Sequence, residues 1–335
     1  LYEYSNWIRI LADDGTIKNY YPLTYLEING EVVNDAEIRL KGNPCCSWYS
    51  DKMQFVIRFN GINPEGRFQG MRKLALDGPE YDYSMLRDRL ALSVFRDAGV
   101  AASCVNNATL TVNGSFYGLY TNVEYMDEEF LQRQYGREGE ATGTLFKYDY
   151  SVSQWEMKTN EETGVWFRFD TFHSSTVINN VDLIDTMADI DQMLRFTAVE
   201  ALLPAEDNYF SGSINFTWYD HPSKGFLLLP WDLDWSFYSE SWNIYSPGYW
   251  FGGNDHFYTF LADPATLARY TELAYEVLPA YDPLVLEQRL FDWMIQVEDA
   301  VALDPVMVTT NFYTEVNRLR AFVYERRAYL ETLLP

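Results

Sequence analysis

The sequence predicts an α+β fold in which a sheet-rich first part carrying one helix is followed by a helix-rich second part. Three observations lead there. Alternating apolar stretches broken by Asn-Gly turns run to about residue 125. Helical periodicity dominates from about residue 126 onward. No internal repeat, low-complexity tract or obvious linker divides the chain. At 335 residues it can bury a substantial core, as one large domain or as two lobes around a cleft. The expected division is a sheet-rich N-lobe over 1–125 and a mixed, helical C-lobe over 126–335.

Each element has its own signal. "YLEINGEVVNDAEIRLKG" alternates on both sides of Asn29-Gly30, a dipeptide suited to a tight hairpin. "KMQFVIRFN" places Met53, Phe55, Ile57 and Phe59 on one face, with Lys52 opposite in phase. "NNATLTVNGSFYGLYTNVEY" gives two strands joined at Asn113-Gly114. Between these strands, "SMLRDRLALSVFRDAGV" predicts a helix with Ser84 as N-cap, Leu86, Leu90, Val94 and Phe95 on one face, and Gly99 as its stop. "MDEEFLQRQYG" predicts a short helix ending at Gly136, with Glu128 and Glu129 in its first turn. "DLIDTMADIDQMLRFTAVEALLPAED" predicts a helix up to Pro204. The strands "SINFTWYD" and "GFLLLPWD" follow, joined at "HPSKG", and several helices run from about Ala265 to Leu334.

Composition excludes some functions. A net charge of −24 argues against nucleic acid as a partner, because phosphate backbones require clustered Lys and Arg. It favours cations and basic polypeptides, and is equally compatible with solubility alone. Aromatic content of 17% fits either a sugar-binding surface or a large aromatic core. Cys45 and Cys46 are adjacent and Cys104 stands alone, so any single bond leaves an odd thiol and no disulfide framework is implied. The three His residues leave little material for a His-based metal site. No apolar run approaches the ~20 residues of a membrane helix. The chain begins at Leu1 rather than Met, which is compatible with removal of a leader.

Chemistry concentrates in "FLLLPWDLDWSF", residues 226–237. A buried strand is ended by Pro230, and Asp232 and Asp234 follow among tryptophans. On an extended segment residues i and i+2 point the same way, so both carboxylates converge on one site, and two like charges held close call for a cation between them. Hard oxygen ligands suit Mg²⁺ or Mn²⁺ with phosphate oxygens completing the shell. The alternative is a carboxylate that caps a turn or pairs with an Arg. Upstream, "EDNYFSGSINFTWYD" supplies Asp207 and Asn215. The order Asp207, Asn215, Asp232 (acid, amide, acid across a strand pair) is that of protein kinases, where these groups position the acceptor hydroxyl and hold metal. The Asp-to-Asn separation is eight positions here, against roughly five in the kinase loop, and no HRD or DFG tripeptide is present.

Several ordered signatures resemble the spore coat protein H (CotH) family of atypical kinases. They are "EIRLKG" with "SDKMQFVIRF", "KLALDGPEYDYSMLRDRLALSVFRDAGV", "VNGSFYGLYTNVEYMDEEFL", "DNYFSGSINFTWY" and "PWDLDWSF", spread over roughly residues 25 to 240. The resemblance implies a divergent two-lobed protein-kinase-like fold and an ATP- and divalent-metal-dependent kinase acting on Ser residues of coat proteins. It also favours a spore-coat, surface or secreted location. It implies catalytic roles for Asp207 and Lys52, the latter on the ATP phosphates, and metal ligation by Asp232, Asn215 and Asp234. Ser50, Arg39, Glu124 and Asp127 would complete the nucleotide site, with Glu124 and Asp127 at the hinge. The loop between Gly42 and Lys52, "NPCCSWYSD", lacks further glycine, so Ser47, Ser50 and backbone N–H groups would cover the phosphates. Position 41 is Lys where the family often has Arg. The acid partner of Lys52 is expected to be Asp88, Asp97 or Glu124, and Arg87 to brace an internal carboxylate.

Two other classes remain open from the residues. A glycoside hydrolase would pair Asp232 or Asp207 with Glu206 or Glu124 across an aromatic cleft. A catalytically silent surface module would keep the fold alone. The kinase reading takes ATP and a basic, Ser-rich protein as partners, with neither nucleic acid nor membrane.

Overall fold

A computed structural model describes residues 20–42, 52–79, 82–149, 154–246 and 254–334. Strands β1 (Tyr21–Pro22), β4 (Glu37–Leu40), β5 (Phe55–Arg58), β6 (Lys73–Asp77), β7 (Val105–Val112) and β8 (Ser115–Glu124) form a six-stranded antiparallel sheet in the order β1-β4-β5-β6-β8-β7. The hairpin of β2 (Glu27–Ile28) and β3 (Glu31–Val32) stands beside it. Asn29-Gly30 and Asn113-Gly114 both turn with positive φ, the geometry that two-residue hairpins demand. Met53, Phe55, Ile57 and Phe59 are buried together in one face of this sheet.

Helix α1 (Arg87–Asp97) crosses the sheet's other side, and Gly99 ends it at φ 76. Ser84 is not its cap. Asp82 accepts from the backbone N–H groups of Ser84 (2.9 Å) and Arg87 (2.8 Å), because Met85 turns at φ 56 and the helix starts later than its pattern suggests.

The second part begins with α2 (Glu128–Tyr135), capped by Asp127. A second sheet, ordered β10-β9-β11-β12, comprises β9 (Thr144–Asp149), β10 (Gln154–Met157), β11 (Phe216–His221) and β12 (Gly225–Pro230). Short helices α3 (Trp166–Phe172), α4 (Ser175–Ile178) and α5 (Val181–Asp185) lead to α6 (Ile190–Leu202) and α7 (Tyr209–Gly212). The single helix expected before Pro204 is thus two. Asp189 caps α6, and Ala188 bridges to Phe226, which breaks the run. Helices α8 (Asp255–Ala262), α9 (Pro264–Val277), α10 (Pro283–Leu303) and α11 (Thr309–Leu333) complete the described chain.

The architecture is therefore α+β, sheet-rich first and helical later. One core runs across both parts. Leu90, Val94 and Phe95 of α1 share a cluster with Leu194, Phe196 and Val199 of α6 and with Leu286 and Leu290 of α10. Phe95 and Phe196 meet with ring centroids 5.3 Å apart. This shared packing holds the α1 carboxylates against the loops that follow β12 and α6.

Candidate active site

The β11–β12 hairpin is a post for the loop beyond it. Phe216 pairs with Pro230, and Trp231 N–H donates to the Asn215 carbonyl at 3.2 Å. Asn215 and Asp232 both lie in the left-handed region, at φ 56 and 57, which short polar side chains tolerate. The segment after Pro230 is thus a turn rather than the extended segment expected, and Asp232 and Asp234 reach the same cleft through that turn.

Asp207 sits between α6 and α7. Asn208 caps α7 in a reciprocal capping box with Ser211. Glu200, fully buried on α6, accepts from Phe210 N–H at 2.7 Å and so supports this loop from behind. Asn215 Nδ2 donates to Asp207 twice, to the carbonyl at 2.8 Å and to Oδ2 at 3.1 Å.

These loops meet α1 and the first sheet around a cleft of about 110 Å³. Among the described residues its wall carries Asp77, Asp82, Asp88, Asp207, Asp232 and Asp234 against one cation, Lys41. Lys41 forms an ion pair with Asp77 and lies 3.9 Å from Asp232. Burial opposes its charge, but Asp77 and Asp232 hold its pKa above the ordinary value. Asp88 Oδ1 accepts from Leu233 N–H at 2.7 Å, which ties α1 to the Asp232–Asp234 turn. Arg87 donates to the Asp234 carbonyl at 3.2 Å and pairs with Glu315 of α11, so it braces the turn's backbone.

Like charges in a buried space disfavour ionisation. Burial first, and then Asp232, push Asp207 up to about 7. Burial and the same neighbour hold Asp88 and Asp234 well above the usual carboxylate range. Asp207 Oδ1 is buried without a hydrogen-bond partner among the described residues. Hard oxygen donors, uncompensated charge and an orphaned carboxylate oxygen fit one or more divalent cations. The ring is open: no three of its carboxylates bring oxygens within 4.8 Å of one another, whereas Asp127, Glu128 and Glu129 do. In that tighter trio the two glutamates are paired, while Asp127 keeps Oδ2 buried without a hydrogen-bond partner among the described residues. Arg72 pairs with Glu128 at 2.8 Å, Arg67 with Glu129 at 2.8 Å, and Asp127 caps α2.

Asp207, Asn215, Asp232 and Asp234 therefore come together. Lys52 does not join them. It is buried, with Nζ on the Leu119 carbonyl at 2.5 Å and paired with Asp304 at the end of α10. Asp304 also accepts from Leu119, Val306 and Met307 N–H, and these donors with Lys52 hold its carboxyl low despite burial. The phase that sets Lys52 opposite Met53 aims it at this lock, and Lys41 of "RLKG" occupies the cleft. The expected partners of Lys52 are likewise elsewhere: Asp88 lines the cleft, Asp97 pairs with Arg289 at 2.6 Å, and Glu124 pairs with Arg133 at 2.5 Å.

The two residues expected at the hinge, Glu124 and Asp127, are both engaged by other groups. Glu124 accepts from Cys104 N–H, and Asp127 is occupied as a cap, its pKa pushed up to about 6 by burial. Tyr125 between them faces Trp231, with ring centroids 6.1 Å apart. Arg39 and Lys73 stand beside Tyr125, and with Lys158 they hold its phenol below the ordinary value although burial works the other way. Lys147 of β9 lies over the Trp231 indole at 3.4 Å, and Lys41 approaches the same ring at 5.5 Å. Ser50, Cys45 and Cys46 lie outside the described residues; Cys104 is free and exposed. Sequence reasoning missed Asp77, Asp82 and Lys147. "KLALD" carried one signal, an acid closing a buried strand before Gly78, much as Asp232 follows β12. His173 and His256 sit in the aromatic core beside Phe172, and burial keeps both neutral.

No helix among the described residues is long and apolar enough to cross a membrane. The chain is 25% identical over 189 residues to inner spore coat protein H of Bacillus subtilis strain 168, half of each chain being covered, so it spans about half the length of that curated relative. Among solved structures it resembles the HipA–HipB–operator DNA complex of Shewanella oneidensis MR-1, with TM-score 0.35 and 10% identity over 97% of this chain and 71% of that one. It also resembles the Helicobacter pylori proinflammatory kinase CtkA, with TM-score 0.36 and 8% identity over 88% and 97%. Likenesses this distant add nothing to the functional argument. The family model described as CotH kinase protein matches residues 38–330, and the chain belongs to the CotH family.

Proposed function

We propose that this chain is an atypical protein kinase that transfers the γ-phosphoryl group of ATP, with Mg²⁺ or Mn²⁺, to Ser or Thr hydroxyls of a basic, Ser-rich protein, in association with a spore coat. The observation that carries the proposal is the charge imbalance of the cleft, six aspartates around Lys41. Asp232, Asp234 and Asn215 would hold divalent metal, with Asp77 and Asp88 closing the ring. The cations, when bound, neutralise phosphate charge. Lys41 takes the phosphate contact first assigned to Lys52, since its ammonium stands inside the cleft. The indole of Trp231, beside Tyr125 and under Lys147 and Lys41, would offer an aromatic surface for the base, with Arg39 next to Tyr125.

Asp207 is the proton acceptor for the incoming hydroxyl. A pKa near neutrality suits that role, and Asn215 fixes the carboxylate's orientation. Trp231 and Leu233 are buried beside the aspartates, and the low-dielectric side they provide strengthens the charge interactions they border. The glycosidase reading loses ground because Glu124, one proposed member of its pair, is engaged by Arg133.

The test is incubation with γ-labelled ATP and Mg²⁺ or Mn²⁺, following label into the protein and into a basic Ser-rich peptide. Asp207→Ala should bind nucleotide and lose transfer by about 10²–10⁴-fold, the range for losing a general base. Asp232→Ala should lose Mg-ATP binding itself. Normal transfer by both variants would end the proposal.

A further inference from the structure

A second hollow lies outside the cleft and shares no lining residue with it. The protein carries 49 acidic against 25 basic side chains, yet Arg96, Arg133, Arg195 and Lys224 line one hollow of about 470 Å³ with a single carboxylate, Asp189. That carboxylate is occupied, accepting from Gln192 N–H at 2.9 Å as the cap of α6. Arg133 pairs with Glu124 and Arg195 with Glu276, each at 2.5 Å. Arg96 donates to the Ser103 carbonyl, and neither it nor Lys224 has a carboxylate within ion-pair distance among the described residues. Burial disfavours the Arg96 guanidinium, Cys104 and Asp97 partly offset it, and Arg133 and Arg289 add to the cost, which a bound anion relieves.

The neighbouring hollow, about 530 Å³, shares Asp189 and Lys224 with the first and has the opposite character. Asp182, Asp185 and Asp191 line it, and Arg269 compensates Asp191 at 2.8 Å. The two hollows form a bipolar groove, cationic at one end and anionic at the other.

We propose that this groove docks an already phosphorylated segment of the protein substrate. The phosphoryl group sits among Arg96, Arg133, Arg195 and Lys224, and the flanking Lys or Arg residues lie along Asp182 and Asp185. The ligand's identity rests on the protein-kinase reading above; the anion site does not. Arg forks match phosphate oxygens, and both hollows are of ligand size, ~300–1,000 Å³. A nucleic acid longer than the hollow would lie against the surrounding acidic surface, whereas repulsion from carboxylates more than ~8 Å away is screened, so a short segment with mixed charges is selected over nucleic acid. Docking a phosphorylated segment here would keep a multiply modified substrate on the enzyme between transfers.

Fluorescence anisotropy without nucleotide tests this, using a labelled Lys-phosphoSer-Lys-rich peptide, its unphosphorylated counterpart, and inorganic phosphate as competitor. The phosphopeptide should bind at least about 10-fold more tightly, in keeping with the ~1.5–3 kcal/mol of a charge-assisted contact. Arg96→Gln with Lys224→Gln should remove that preference while melting temperature stays unchanged. Asp182→Asn with Asp185→Asn should weaken the peptide without altering competition by phosphate. Asp207→Ala should bind the phosphopeptide as the parent does; a parent protein that docks the phosphopeptide yet transfers no phosphate to any acceptor refutes the kinase reading and leaves docking intact. Equal binding of both peptides, or full affinity in the folded Arg96/Lys224 variant, overturns the proposal. Competition by inorganic phosphate with no preference for the phosphopeptide overturns it too, in favour of a free oxyanion site.

Discussion

Two lysines, one buried and one mostly buried, lie close together along the chain and have opposite electrostatic surroundings. Lys52 has one carboxylate, Asp304, whose remaining acceptor capacity is filled by three backbone N–H groups. Lys41 faces six. The first arrangement is balanced and closed, a lock between the N-terminal sheet and the end of α10. Its tightness extends to Gly118, at φ 142, where a Cβ would overlap both Asp304 Oδ2 and Lys52 Nζ. The second is unbalanced, and its excess negative charge is what a divalent cation and a nucleotide would resolve. Burial of a lysine therefore does not identify a phosphate contact; the charge balance around it does.

This contrast can be broken experimentally. The largest effect is expected from Lys52→Met, which strands Asp304 in the core and should cost about 3–5 kcal/mol of stability, measured by urea unfolding. A stable Lys52→Met protein with lost nucleotide binding would return Lys52 to the active site. Gly118→Ala should follow at about 1–3 kcal/mol from overpacking of the same lock, without changing nucleotide affinity in the folded protein. Lys41→Met should reverse the pattern, costing less stability than Lys52→Met but lowering phosphotransfer by at least about 10-fold, the equivalent of ~1.4 kcal/mol.

The smallest and most diagnostic effect is on pH dependence. Asp88, Asp207 and Asp234 have pKa values raised in the folded protein, so the native state binds more protons than the unfolded chain above the ordinary carboxylate range. Their contribution to stability is present at acid pH and is lost as pH rises, for Asp207 through about 7. Metal-free Asp234→Asn should accordingly lose less stability than the parent between pH 5 and 8. Mg²⁺ should raise the melting temperature of the parent more at pH 8 than at pH 5.5, because a cation competes with protons for the same oxygens. A Mg²⁺ effect independent of pH would mean that the cleft carboxylates do not bind it.

Much of this was legible in the chain. Asn29-Gly30 and Asn113-Gly114 specified their hairpins because left-handed turn residues are a local requirement. The cluster of Asp207, Asn215, Asp232 and Asp234 was legible because each lies at the end of an element whose period could be read. The helix before Pro204 misled, since Asp182 to Leu203 keeps one period while Asp189 and the Ala188–Phe226 bridge interrupt it through a distant strand.

The sequence alone determined the hairpin turns, the main N-terminal strands with their helix, and the acid–amide–acid succession, all of which follow from backbone preferences and periodicity within short windows; β9, β10 and the short helices α3 and α4 were not read from it. Which lysine reaches that constellation was decided only by tertiary structure. Lys52 is drawn away by Asp304, 252 residues distant, and Asp77 and Asp88 join Asp232 only when α1 packs into the C-terminal core. Charge balance is a sum over neighbours in space, and local sequence carries no record of it.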